Sequence, residues 1–230
     1  MEDLRENLWS HFFKSPRKNY NPYMFKLLEY PEYIIYDKKI MDSYKGKWHE
    51  FFGNNNPIYL EIGSGSGNFA QGMAKRYPER NHIGLELRFK RLVLSAVKVK
   101  RDGSTNALFL RRRGEEILEF VAENEVVGIY VNFPDPWEEN EKNRVVQESF
   151  FKTLDVILKK GGMFYFKTDH DKYYQDVIDL VESLDGYRVV YHTADLHKSE
   201  KAADNIKTEF EQLFLCKHNN NINYIEIEKI

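Results

Sequence analysis

Ile58-Tyr59-Leu60-Glu61-Ile62-Gly63-Ser64-Gly65-Ser66-Gly67-Asn68-Phe69 is the stretch around which the chain is organised. An apolar, β-prone run ends in three alternating glycines, and Phe69, Ala70, Met73, Ala74 and Tyr77 then recur at helical spacing. The glycines therefore stand where a strand turns into a helix. Backbone without side chains can approach a ligand closely there, and the helix N-terminus offers unpaired N–H groups. A turn that merely requires left-handed glycines has the same pattern, so a second feature is needed. His82-Ile83-Gly84-Leu85-Glu86 supplies it, a further strand-like run ending in an acid 19 residues after Gly67. A nucleoside ribose calls for a carboxylate at such a place. Asn68 follows Gly67, so the spacing is G-x-G-x-G and the third glycine of the dinucleotide fingerprint is absent.

Outward from this turn, strand and helix alternate. The pattern predicts strands at 58–62, 82–86, 107–110, 127–133 and 162–168, and helices at 68–77, 88–101, 115–122, 145–159 and 171–183. Repeated β-α units predict a mostly parallel α/β sheet with helices on both faces. Near the C-terminus, 187–192, 210–216 and 224–228 read as strands without helix between them, which predicts an antiparallel hairpin. In 88–101, Phe89, Leu92, Val93, Ala96 and Val97 form an inward stripe, leaving Arg91, Lys98 and Arg101 to solvent. Residues 1–57, rich in aromatics, Asn and Pro, predict an arm packed on a main domain at 58–230. Short helices are expected in that arm at 24–30 and 42–52, and Asn219-Asn220-Asn221 reads as a turn.

A chain of 230 residues that is 42% hydrophobic is long enough for one domain with a substantial core. The net charge of −2 says nothing about a polyanionic partner, but its distribution does. Between Arg88 and Arg113 nine Lys/Arg face one acid, Asp102. That is either a nucleic-acid footprint or a solvated helix face. Cys216 stands alone and the seven histidines lack ligand spacing, so neither a disulfide nor a metal site is expected. The start, Met1 to Glu6, has no signal-peptide pattern, and no run approaches the ~20 apolar residues of a membrane span. A soluble cytoplasmic protein is the expectation; monomer and homodimer are both compatible with it.

Chemistry gathers at strand ends. In open α/β sheets ligands bind beyond the carboxyl ends of the strands, and Glu61, Glu86, Arg111–Arg113, Asp135 and Thr168-Asp169 all fall there. In Tyr130-Val131-Asn132-Phe133-Pro134-Asp135-Pro136-Trp137 two prolines fix the backbone around an acid, and Trp137 adds a flat face. Such a carboxylate can accept from guanine N1–H and the 2-amino group. The plainer reading is a stiff proline-rich connection.

E-x-G-x-G-x-G with a later acid resembles the S-adenosylmethionine site of class I methyltransferases. Leu60 to Gly67, Gly84-Leu85-Glu86, Asn132 to Trp137, Lys167-Thr168-Asp169, Asp195-Leu196-His197 and Thr208-Glu209-Phe210-Glu211 occur in order. Together they resemble the bacterial tRNA (guanine-N7-)-methyltransferase family over about residues 57 to 216. The resemblance implies a Rossmann-like class I fold and methyl transfer from S-adenosylmethionine to N7 of a guanosine in the tRNA variable loop. It implies cofactor contacts at Glu61, Gly63, Gly65, Gly67, Glu86, Arg113 and Asp135, the last also catalytic. It implies tRNA contacts at Asp169, Thr208, Glu209, Phe210 and Glu211, with Lys142 and Arg144 holding what positive charge the loop keeps.

The chain departs from the family pattern in three places. Ser66 stands where a lysine is usual, Arg113 where an acid or amide is usual, and Glu138-Glu139-Asn140-Glu141 where a basic run is usual. Phosphate contacts are therefore expected among Lys90, Arg91, Lys98, Arg101 and Arg111–Arg113. Two alternatives share the pattern: an NAD-linked oxidoreductase, and a non-enzymatic RNA-binding protein on the same fold.

Overall fold

The computed structural model describes residues 21–217 and 221–230, with the side chains of 214–217 excepted. Residues 1–20 of the expected arm, most of the Asn219–Asn221 turn and the Cys216 side chain lie outside the described residues. Strands β1 (Ile34–Ile35), β2 (Ile58–Ile62), β3 (Asn81–Leu85), β4 (Ala107–Leu110), β5 (Val126–Asn132), β6 (Leu158–Thr168), β7 (Tyr187–Thr193) and β8 (Asn223–Lys229) form one sheet. Their order is β1-β4-β3-β2-β5-β6-β8-β7. Every pairing from β1 to β6 is parallel, and β8 runs antiparallel to both β6 and β7. The chain winds from β2 to β3 and β4 on one side and continues through β5 and β6 on the other. A crevice therefore opens at the carboxyl ends of β2 and β5, where the winding reverses.

The helices are α1 (Tyr23–Lys26), α2 (Lys38–Ser43), α3 (Trp48–Phe52), α4 (Asn68–Arg76), α5 (Phe89–Asp102), α6 (Ile117–Phe120), α7 (Glu148–Ile157), α8 (Asp171–Glu182) and α9 (Glu209–Lys217). Strand alternation divides the core. Leu108 and Leu110 join Trp48, Phe120, Phe151 and Tyr173 on one face, while Ala107 and Phe109 join Ala70, Ala74, Leu92 and Val99 on the other. No described helix is long and apolar enough to cross a membrane.

Several expectations are corrected. The arm helix expected at 42–52 is two helices, α2 and α3, because Gly46 turns the chain between them at φ +75° and Asp37 caps α2 through Lys39 N and Ile40 N. Ile34–Ile35 adds an edge strand beside β4, which a two-residue run without alternation could not announce. Residues 210–216, expected as a strand, belong to helix α9. Thr208 Oγ1 accepts from Glu211 N at 3.0 Å, and the Glu211 carboxylate accepts from Thr208 N at 3.3 Å. This reciprocal capping box starts a helix and overrides the β-prone character of the run. On α5, Val97 is exposed and Ser95 is buried in the place expected for it. Lys98, expected in solvent, is drawn onto the glycine loop.

Candidate active site

Gly63, Gly65 and Gly67 all adopt positive φ, +77°, +56° and +76°. At Gly67 a Cβ would also lie 2.6 Å from Ser95 Cβ and Oγ, so only glycine lets the start of α4 rest on α5. Glu61, next to last in β2, lies beneath this loop and is 5% exposed. Its Oε1 accepts from Asn132 Nδ2 at 3.0 Å, and its Oε2 is buried without a partner. Burial pushes the Glu61 carboxyl up to about 7, against the opposing pull of Asn132 and of the Lys167 ammonium. Glu86 follows β3, where its Oε1 accepts from Leu87 N at 2.7 Å and Arg88 N at 2.8 Å. Its Oε2 has Arg91 Nη1 at 3.8 Å.

The opposite wall follows β5. Phe133 and Trp137, at φ 52° and 45°, bracket Pro134-Asp135-Pro136 in a left-handed conformation that costs non-glycine residues roughly 1–3 kcal/mol each. The surroundings enforce it. Phe133 N donates to Lys167 O at 2.8 Å, and Arg144 Nε donates to Pro136 O at 2.6 Å. Phe210, on α9, lies with its ring 4.9 Å from that of Phe133. Between the two walls is a cleft of about 600 Å³.

Glu61, Gly63, Gly65, Glu86, Asp135, Thr208, Glu209 and Phe210 line this cleft together, and Gly67 buttresses it from behind. Other expected site residues stand elsewhere. Arg113 is exposed beyond β4, Lys142 is exposed in the loop, and Asp169 follows β6; none is part of the cleft lining. Arg144 is buried behind the Asp135 loop, over the Tyr173 ring at 4.5 Å and 2.7 Å from Asp176, so it fastens the loop to α8. Glu211 is fully buried and accepts from His197 and Asn205, both at 2.6 Å, and from Lys167 at 3.4 Å.

The expected phosphate contacts are corrected in the same way. Arg112 is fully buried on Asp42 at 2.7 Å and Glu119 at 2.6 Å, and Arg111 donates to Leu87 O while stacking over Phe89 at 4.2 Å. Arg112, at 1% exposure, is not presented to a polyanion. The basic residues that do reach the cleft are Arg88 and Arg91. Sequence reasoning counted Arg88 in the basic cluster but not among the phosphate contacts, and it overlooked Asn132 as the partner of Glu61 and Lys167 as a buried cation among acids. An ammonium inside the apolar run of β6, and an amide ending β5 opposite Glu61, were the available signals.

This geometry has known counterparts. The sequence pattern of a family described as a putative methyltransferase matches residues 55–224. A tRNA (guanine-N(7)-)-methyltransferase of Enterococcus faecalis is 39% identical over 192 residues, which cover 82% of this chain and 86% of the relative. The chain belongs to the tRNA (guanine-N7-)-methyltransferase family. A Bacillus subtilis relative of the same name is 38% identical over 175 residues, covering 75% of this chain and 81% of its own. A bifunctional glycosyltransferase/methyltransferase of Fusobacterium nucleatum is 62% identical over 233 residues. That match takes in 100% of this chain but 36% of the relative, so the chain spans about a third of that protein's length. Among solved structures, the 16S rRNA methyltransferase KamB superposes with a TM-score of 0.60 at 13% identity, over 80% of this chain and 94% of its own. At that identity the likeness concerns the fold, which is that of the class I methyltransferases.

Proposed function

We propose that the chain transfers a methyl group from S-adenosylmethionine to N7 of a guanosine in tRNA, in the variable loop by the family's pattern. One observation carries the reading: the glycine loop with Glu61 and Glu86 faces Asp135, Trp137 and Phe210 across a single cleft. The residues present suit this cofactor. The unpartnered, buried Glu61 Oε2 matches a cationic ammonium, and Glu86 matches a pair of ribose hydroxyls. Gly63 and Gly65 leave room for close backbone approach.

S-adenosylmethionine supplies an electrophilic methyl on a sulfonium centre. Guanine N7 carries an in-plane lone pair, so the attacking atom need not lose a proton first. The nitrogen would gain the methyl and a positive charge, balanced by the sulfonium's conversion to a neutral thioether. The protein's task is alignment of the two reactants, an effect that lowers barriers by several kcal/mol. Asp135 accepts from the base's N1–H and 2-amino group and opposes the charge that develops on the ring. Trp137 and Phe210, both 45% exposed at the cleft, offer faces for an extruded base. Arg88 and Arg91 would meet the phosphates beside it, and Glu61 and Glu86 would hold the donor. From a tRNA substrate we infer a cytoplasmic location. Membership of a methyltransferase family leaves the oxidoreductase and the purely RNA-binding alternatives without support.

Nucleoside mass spectrometry of tRNA incubated with the protein and S-adenosylmethionine tests the reading. The expected product is 7-methylguanosine; methyl on an exocyclic amine or a ribose overturns it.

A further inference from the structure

Lys98 Nζ donates to Ser66 O at 2.8 Å, to Ser66 Oγ at 3.0 Å and to the Asn68 side chain. Ser66 is 3% exposed and donates from Oγ to Glu209 Oε2 at 2.5 Å. The direction of this chain is fixed. An ammonium only donates, so the single hydroxyl hydrogen of Ser66 is left for the carboxylate. Both links are charge-assisted, the class of hydrogen bond that holds geometry best. They join the glycine loop to the first residue of α9, and the next residue, Phe210, packs on Phe133 of the opposite wall. The turn itself has no need of this hydroxyl, since Gly63, Gly65 and Gly67 supply its positive φ values. Ser66 thus touches the cofactor side with its backbone and the substrate side with its side chain.

We propose that Ser66, oriented by Lys98 and bonded to Glu209, is a positioning residue that couples cofactor binding at the glycine loop to RNA binding at α9. The inference rests on the reading that this cleft holds S-adenosylmethionine beside tRNA. A ligand that settles the loop fixes Ser66, and Ser66 then fixes Glu209 and Phe210 where the RNA meets them. The coupling is reciprocal, so RNA tightens the cofactor by the same factor.

The test measures dissociation constants for S-adenosylhomocysteine and for a tRNA transcript, each alone and in the presence of the other. In the wild-type protein the second ligand binds about fivefold more tightly or better once the first is bound, the lower end of ordinary couplings. In Ser66→Ala and in Lys98→Met the factor falls to within about twofold of one, while Lys98→Arg keeps most of it. Melting curves without ligand show that each variant is folded, and Ser66→Ala removes a single oxygen. A wild-type factor of one, or an undiminished factor in Ser66→Ala, overturns the coupling and leaves the methyl-transfer reading standing. A wild-type protein that binds no S-adenosylhomocysteine overturns the functional reading itself, and the coupling with it.

Discussion

One wall of the cleft is built on a glycine-rich turn of backbone and the other on aromatic and acidic side chains. The first is made chiefly by residues 61 to 69, whose glycines bend the chain from β2 into α4, joined by Glu86 to Arg91 after β3. The second is assembled from Phe133–Trp137 after β5 and from Glu209 and Phe210 on α9, segments separated by some seventy residues. A backbone wall is chemically indifferent, and the side chains that give this one its charge are two acids, Glu61 and Glu86. A side-chain wall is selective, and it has to be held. Arg144 and Lys167 fasten the Asp135 loop from behind, and the capping box of Thr208 and Glu211 starts the helix that carries Phe210. The walls therefore fail in different ways.

The largest contrast is expected at Asp135. It is exposed in the cleft and takes no part in the core, so Asp135→Asn keeps the fold and the shape of the site but removes its charge. Turnover should fall by about a hundredfold or more, the scale of losing one preorganised partner of a developing charge. On the proposed assignment of the donor to the other wall, affinity for S-adenosylhomocysteine should change little; a large loss would restore Asp135 to the cofactor contacts that the resemblance implies. Steady-state kinetics beside calorimetry checks this; a normal turnover number would remove Asp135 from the mechanism.

Glu61 probes the backbone wall through pH. Its folded-state pKa, about 7, lies above its ordinary 4.5, so ionisation is disfavoured in the ligand-free fold. The stability this group permits is whole below pH 4.5 and is lost as pH rises toward 7, by about 3 kcal/mol at most. Glu61→Gln should therefore raise the melting temperature at pH 8 and leave it nearly unchanged at pH 4.5. Binding of a cationic ligand favours the ionised form, so wild-type affinity should increase between pH 6 and 8 while that of the variant stays flat. Thermal scans and titration calorimetry over that range read both effects. Equal pH slopes in the two proteins would separate Glu61 from the ligand's charge.

The same contrast explains what could be read in the sequence. The glycine turn, its strand and Glu86 are local patterns, and the fold followed from repeating them. The T-x-F-E segment was legible as a motif but not as a structure. Phe210 to Cys216 has the composition of a strand, and the reciprocal bonds between Thr208 and Glu211 start it as a helix. Arg112 and Arg144 were equally opaque. Charge in a sequence suggests solvent or phosphate, yet both guanidinia are buried because acids distant in the chain, Asp42 and Asp176, close over them. Lys98 was assigned to the outer face by periodicity alone, and its long stem reaches round to the glycine loop.

Arg112 turns that lesson into a measurement. It ties Asp42 of the N-terminal arm to Glu116 and Glu119 of the main sheet's surroundings. Arg112→Met should cost about 2 kcal/mol of stability, below the ~3–5 kcal/mol of a fully buried pair because its carboxylate partners remain hydrated. The folded variant should bind tRNA as the wild type does. Denaturant unfolding and filter binding on one preparation test the pair of statements, and a weakened RNA affinity in folded protein would return Arg112 to the phosphate-contacting set.

The smallest effect is expected where the backbone wall meets the RNA. Arg88 and Arg91 are exposed at the cleft and stand beside Glu86, whereas Arg111 is stacked over Phe89 and Arg112 is buried among acids. A phosphate contact releases condensed counterions, so its loss appears as a change in salt dependence more than as a large loss of affinity at one salt concentration. Arg88→Ala and Arg91→Ala should each flatten the slope of log affinity against log salt by about one, and the double variant by about two. The methylated position should stay the same, since the selective wall is intact. Arg91 lies 3.8 Å from the Glu86 carboxylate, so S-adenosylhomocysteine affinity is measured on the same protein to separate the two ligands. A slope that does not move in either variant would mean that these guanidinia are only solvated. The RNA would then approach from the side-chain wall alone, and the backbone wall would serve the methyl donor and nothing else.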